Sequence, residues 1–182
     1  MGQKSAAYNG QGAIVGFYDD VDSPAPQGVT TIEITDAQWA TCLTVPGWTV
    51  VDGALVAPSS AFLLAQAKAL QLGVLSAAYG AAIQADVSYT TKAGVTKTFQ
   101  ADGGSVSNLQ NAILGLQAAG ATPSGFYWLS ADNTQVPFTY ADLQGLAAAM
   151  MAQGWTAFQH LQAQKAAVAA AASVSAVQAV SW

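Results

Sequence analysis

The sequence predicts an α+β fold, with a small β-rich N-terminal domain followed by a helix and β-hairpin domain that ends in long C-terminal helices. Three observations predict it. Asp52-Gly53 lies between two apolar runs, residues 48–51 and 54–56, and this dipeptide readily supplies the positive φ angles of a two-residue hairpin turn. Thr35 and Thr139 each stand three residues before an acceptor side chain, Gln38 and Asp142, which is the spacing of a reciprocal helix cap. Beyond residue 60, apolar residues recur every three or four positions rather than every second one.

Taken in order, residues 1–12 read as a flexible arm containing Gly and Asn. Residues 13–57 form the β-rich domain. A strand is predicted over 13–18, a loop rich in Asp, Pro and Gly over 19–28, and a β-branched strand over 30–34. Thr35 opens a short helix that stops before Pro46-Gly47, with Asp36 in the first turn, where a negative charge suits the helix dipole. Trp39 and Leu43 are one turn apart and are expected to clamp this helix onto the strands. The Asp52-Gly53 hairpin closes the domain.

Residues 58–182 form the second, α+β domain. A helix is predicted from Ser60 to about Ala85. Gly73 and Gly80, seven apart in it, are expected to admit a close neighbour. A hairpin over 87–101 turns at Ala93-Gly94. A helix capped by Ser105 or Ser107 runs through Leu109, Ile113 and Leu116 to Gly120. A second hairpin over 126–138 turns at Asp132-Asn133, and Thr139 caps a helix whose apolar stripe is Leu143, Leu146 and Met150. After Gly154 the chain is helical again, and its Ala-rich stretch over 166–172 makes a slim helix suited to packing against its own core or against another copy of the chain.

Composition excludes several function classes. The 182 residues are 52% hydrophobic and only 8% charged, against about 25% charged in an ordinary soluble domain. There are five lysines, scattered along the chain, and no arginine, so the phosphate-binding footprint of a nucleic-acid partner is missing. A membrane span is not expected: the best stretch, 62–83, is interrupted by Gln66, Lys68 and Gln71. The opening MGQKSAAYNG lacks the apolar run of a signal peptide.

No catalytic set emerges. The single histidine, His160, sits mid-helix among Gln and Lys, and the single cysteine, Cys42, reads as a small buried side chain. One His, one Cys and one Glu do not assemble a transition-metal site, a triad or a carboxylate pair. Asp19-Asp20-Val21-Asp22 resembles the start of a calcium loop, but Ala25 and Thr31 stand where the sixth-position Gly and twelfth-position Glu belong. The sequence therefore predicts neither an enzyme nor a bound cofactor or metal. The five tryptophans and six tyrosines point instead to a binding surface, with Trp182 either an anchor or a loose end.

Two stretches carry a family resemblance. Ile14-Val15-Gly16-Phe17-Tyr18, Ile32-Glu33-Ile34-Thr35-Asp36-Ala37-Gln38-Trp39 and Asp52-Gly53-Ala54-Leu55-Val56-Ala57-Pro58 together resemble the N-terminal half of tail-fibre assembly proteins of tailed phages. Tyr89-Thr90, Phe99-Gln100-Ala101-Asp102, Phe126-Tyr127-Trp128 and Val136-Pro137-Phe138-Thr139, within about 70–177, resemble an uncharacterised domain found C-terminally in phage tail proteins. The usual second half of an assembly protein is thus replaced. The resemblance implies an assembly chaperone or fibre-tip protein that binds the distal, C-terminal tip of a tail fibre, located in the virion tail or in the host cytoplasm during assembly. Phe17, Tyr18 and Trp48 are the contact residues expected on that reading, whereas Trp39 is expected to be internal. The alternatives are a receptor-binding tip that contacts host-surface glycan and a structural tail or baseplate subunit, with oligomerisation through the C-terminal helices.

Overall fold

The computed structural model of the chain describes residues 2–182 and is α+β. It divides into two compact units, Met1–Ala67 and Lys68–Trp182.

The first unit is built on a three-stranded antiparallel sheet in the order β2-β1-β3, with β1 (Lys4–Tyr8), β2 (Ile14–Asp19) and β3 (Thr31–Ile34). The predicted arm is thus corrected: residues 4–8 are the central strand. Lys4, Ala6 and Tyr8 alternate with Ser5 and Ala7, and Ala6 and Ala7 are both buried. Helix α1 (Asp36–Thr44) starts in the predicted capping box. Gln38 N–H donates to Thr35 Oγ1 at 3.1 Å, and Thr35 N–H donates to Gln38 Oε1 at 2.8 Å. Trp39 anchors the helix by packing edge-on against Phe17, with ring centroids 5.4 Å apart. Leu43 remains exposed and plays no part in that clamp.

The hairpin of β4 (Thr49–Val51) and β5 (Ala54–Val56) turns at Asp52 and Gly53, whose φ angles of 51° and 76° are those the sequence demanded. Gly12 ties this hairpin to the sheet. Val50 N–H donates to its carbonyl at 2.7 Å, and a Cβ at Gly12 would lie 2.2 Å from the Val50 oxygen, so only glycine fits.

Helix α2 (Ser60–Ala82) follows, with Phe62 N–H donating to Ser59 Oγ at 3.1 Å, and the boundary between the units falls within it. The second unit contains two hairpins, β6 (Val87–Thr90) with β7 (Thr96–Phe99) and β8 (Tyr127–Leu129) with β9 (Gln135–Pro137). They pack with α3 (Gly103–Leu116) and α4 (Tyr140–Ala170) around a core of Val87, Phe99, Leu109, Val136, Phe138, Leu143 and Leu146. Phe99 and Phe138 meet edge-on at 5.2 Å in its centre.

Two predictions for this unit are corrected. The cap of α3 is Asp102, which accepts from Gly104 N–H at 2.8 Å and Ser105 N–H at 3.1 Å, so the helix begins earlier than Ser105. Helix α4 runs unbroken through Gly154 for 31 residues. It ends at Ala170, with Ala171 as its extended C-cap, and is followed by the short α5 (Val174–Gln178). Among the described residues, no atom outside the backbone neighbourhood lies within 4 Å of a Cβ built at Gly73 or Gly80, so the expected close neighbour is not found within the chain.

The far part of α2 is bound to the C-terminal segment by polar contacts. Lys68 Nζ donates to the Ala169 carbonyl at 2.7 Å, and Gln71 Nε2 donates to that of Val180 at 2.6 Å. Gln153 Nε2 donates to Ala82 and Ala85 carbonyls at 3.1 and 2.7 Å, satisfying the end of α2 from α4. Trp182 is docked rather than loose, with its ring 4.7 Å from that of His160 and 6.4 Å from that of Tyr79.

Candidate interaction surfaces

Strand alternation sends the three predicted contact residues to different places. Phe17 is on the α1 side of the sheet, where its ring is occupied by Trp39. Tyr18 is on the opposite side and lies over Gly16, beside an open cleft bordered by Ser5, Asp20, Pro24, Thr31 and Glu33. Trp48 is half-buried ahead of β4, and its indole N–H is buried with no hydrogen-bond partner among the described residues. The three therefore do not form one continuous patch on β2, since neighbouring strand residues face opposite ways.

The acidic loop is organised by its own chain. Asp19, buried at the end of β2, accepts a charged hydrogen bond from Lys4 through Oδ2 and the Val21 and Asp22 N–H groups through Oδ1 at 2.9 and 3.1 Å. The Lys4 bond first, then the two backbone bonds, hold its carboxyl down to about 2. Lys4 Nζ also lies 5.1 Å from the Trp39 ring centroid, so one cation serves a carboxylate and an aromatic face.

The remaining titratable groups show no reactive arrangement. Burial pushes the Cys42 thiol up, which disfavours the nucleophilic thiolate. His160 is exposed and contacts Trp182 and the Gln164 amide. Among the described residues no group of three or more His, Cys, Asp or Glu side chains converges.

The second unit carries most of the uncovered apolar surface. On α2, Leu70 and Val74 are exposed one turn apart, and Leu75 is the only buried residue of that helix. α2 has the length and apolar composition that a membrane span would need, although Lys68 and Gln71 are committed to the C-terminal segment. On α4, Met151, Trp155 and Phe158 form a second exposed stripe at spacings of four and three, flanking the side that carries the buried Ala157, Leu161 and Val168. The rings of Trp155 and Phe158 stack at 5.7 Å, and Trp155 is 59% exposed. The sequence alone did not single out this stripe, because apolar residues three or four apart read equally as a core-facing or an outward-facing side of a helix.

A groove of about 290 Å³ opens between the start of α3 and the edge of β8. It is lined by Gln100, Ser105, Asn108, Tyr127, Trp128 and Leu129. Tyr127 and Leu129 are 46% and 49% exposed beside it.

In comparisons with known proteins, residues 66–181 match the family model described as Domain of unknown function (DUF4376). No curated protein and no solved structure matches the chain.

Proposed function

Starting from the fact that this chain belongs to the DUF4376 family, whose match spans most of the second unit, we propose that the protein is a tail-fibre assembly or fibre-tip protein of a tailed phage. On this reading it binds the distal end of a fibre through apolar and aromatic surface, in the virion tail or during assembly in the host cytoplasm. The family description carries no activity, so the reading is supported by the motifs of residues 14–58 and by surface chemistry.

The observation that carries it is the stacked pair Trp155 and Phe158, exposed on α4 in line with Met151. Apolar surface of this extent is costly to leave in water, and aromatic residues with methionine are enriched where partners bind. A second exposed strip on α2 and the 8% charged composition point the same way. Tyr18 and Trp48 remain candidates in the first unit, while Phe17 contributes by holding Trp39 in place.

Co-expression with a phage tail-fibre protein tests the reading. The expected result is a complex that survives purification and a fibre tip that is soluble and trimeric only in its presence. A fibre tip that is soluble and trimeric alone, with no binding of this chain at micromolar concentrations, would overturn it.

A further inference from the structure

The groove beside β8 is a place where sheet pairing stops before the polar groups are used up. Phe138 N–H donates to the Phe126 carbonyl at 3.4 Å and Ser130 N–H to the Thr134 carbonyl at 3.1 Å. In an antiparallel ladder these bonds alternate, so Phe126, Trp128 and Ser130 bond toward β9. The N–H and C=O groups of Tyr127 and Leu129 consequently point away from β9, toward the groove. Ala131 continues the alternation. Its N–H donates to the Thr98 carbonyl at 2.8 Å, the one backbone bond between the two hairpins among the described residues. The two hairpins are otherwise separate sheets, and the groove lies along β8 with Gln100, just past β7, on its other side.

Further polar groups converge there. The amide side chains of Gln100 and Asn108 line the groove, and neither makes a hydrogen bond to another described residue. Ser105 Oγ gives its proton to Asp102 Oδ2 at 2.6 Å and so presents its remaining lone pairs. Tyr127 supplies an exposed aromatic face. No Lys or His lines the groove. The nearby charge is the carboxylate of Asp102, which is engaged by Gly104 N–H, Ser105 N–H and Ser105 Oγ.

We propose that this groove binds one ring of a neutral saccharide. Side-chain amides and free strand-edge groups donate and accept in pairs, as vicinal sugar hydroxyls do, and an aromatic face covers the C–H side of a pyranose. The absence of a lining cation and the presence of Asp102 disfavour anionic ligands. An extended peptide fits less well. The free edge is two outward-facing residues long, and the Ala131–Thr98 bond blocks a strand from extending past it. A volume of about 290 Å³ lies at the small end of ligand sites, in keeping with one ring.

The site is independent of fibre binding, and its test uses the full chain alone. The chain would be titrated with a panel of neutral methyl glycosides, N-acetylglucosamine, maltose and lactose, with sialic acid as the anionic member, while amide signals are followed by NMR. At least one neutral sugar is expected to move the backbone signals of Tyr127 and Leu129 and the side-chain amide signals of Gln100 and Asn108. Tyr127→Ala and Asn108→Asp are expected to weaken that binding about tenfold each, with the remaining spectrum unchanged, and Trp155→Ala is expected to leave it intact. The proposal is overturned if no neutral sugar shifts these signals at about ten times a millimolar Kd, if the shifts map elsewhere, or if sialic acid alone binds.

Discussion

The carboxylate of Asp142 accepts the backbone N–H of Lys92 at 2.7 Å, bolting the turn after β6 to the first turn of α4 across 50 residues of sequence. The same side chain closes its own helix cap. Its Oδ2 accepts Thr139 N–H at 2.9 Å and Thr139 Oγ1 at 2.5 Å, and Tyr89 OH lies 3.4 Å from Oδ1. Burial alone would raise the carboxyl, but the bonds from Thr139 and Lys92 outweigh it and leave the group below its ordinary value of 3.8. Burial and the adjacent carboxylate also raise the Tyr89 phenol, keeping it a donor.

Asp142→Ala is therefore expected to destabilise the second unit by about 2–3 kcal/mol, because it removes a cap and strands buried donors. A carboxyl depressed in the folded state contributes stability that is present above its unfolded pKa and lost as pH falls through the folded one. Urea unfolding of wild type and Asp142→Asn should therefore differ most near neutrality and converge in acid, as the pH falls below 3.8 and through the depressed folded value. Equal differences at both pH values would show that the charge is not what the site uses.

Glycines in two helices should respond in opposite directions to the same change. A Cβ at Gly145 would lie 2.2 Å from Tyr89 Oη and within 2.9 Å of two of its ring carbons, so the rigid ring must leave Asp142. Overpacking costs about 1–3 kcal/mol, more than the roughly 1 kcal/mol of helix propensity that alanine adds. Gly145→Ala should lower the melting temperature. Gly73→Ala and Gly80→Ala meet open space, so each should raise stability by up to about 1 kcal/mol. A stabilising Gly145→Ala would show that Tyr89 is not held where the structure places it.

These features were unequally legible in the sequence. Caps and turns depend on chemistry within four residues, which is why Thr35, Thr139 and Asp52-Gly53 identified themselves. Strand β1 did not, because KSAAY has little strand propensity and becomes a strand by pairing on both edges. Gly103-Gly104 hid the start of α3, although both occupy its first turn, where Asp102 caps the amides of Gly104 and Ser105. Gly154 read as a break, but packing of Ala157, Leu161 and Val168 carries α4 through it. The groove was illegible, since it depends on how two separate hairpins are placed and on which backbone groups remain unpaired there.

The Lys4–Asp19 pair predicts acid sensitivity in the first unit. Asp19 titrates at about 2 when folded, against an ordinary 3.8, so its contribution is complete above the ordinary value and disappears as pH falls toward 2. Asp19→Asn should unfold the first unit at a lower temperature at pH 7, with Trp39 fluorescence as reporter because Lys4 lies over its ring. Near pH 2 the variant and wild type should coincide. A gap that persists there would assign the effect to the Val21 and Asp22 turn bonds instead of the ion pair.

The fibre-binding surface can be separated from the core by two kinds of substitution. Phe99 is fully buried between Tyr89 and Phe138, and Phe99→Ala should cost about 3–5 kcal/mol and abolish binding by unfolding the unit. Trp155→Ser and Phe158→Ser remove two stacked, solvent-exposed rings outside the buried core, so stability should move far less than for Phe99→Ala. If the α4 stripe is the contact, the double variant should lose fibre binding at least tenfold, about 1.4 kcal/mol, while melting like wild type. Because the stripe contains no charged residue, the wild-type affinity should change little between low salt and about 0.5 M salt, where the Debye length is only a few ångströms. Strong salt dependence, or full binding by the double variant, would move the contact away from α4 and leave Tyr18 and Trp48 as the surface to test.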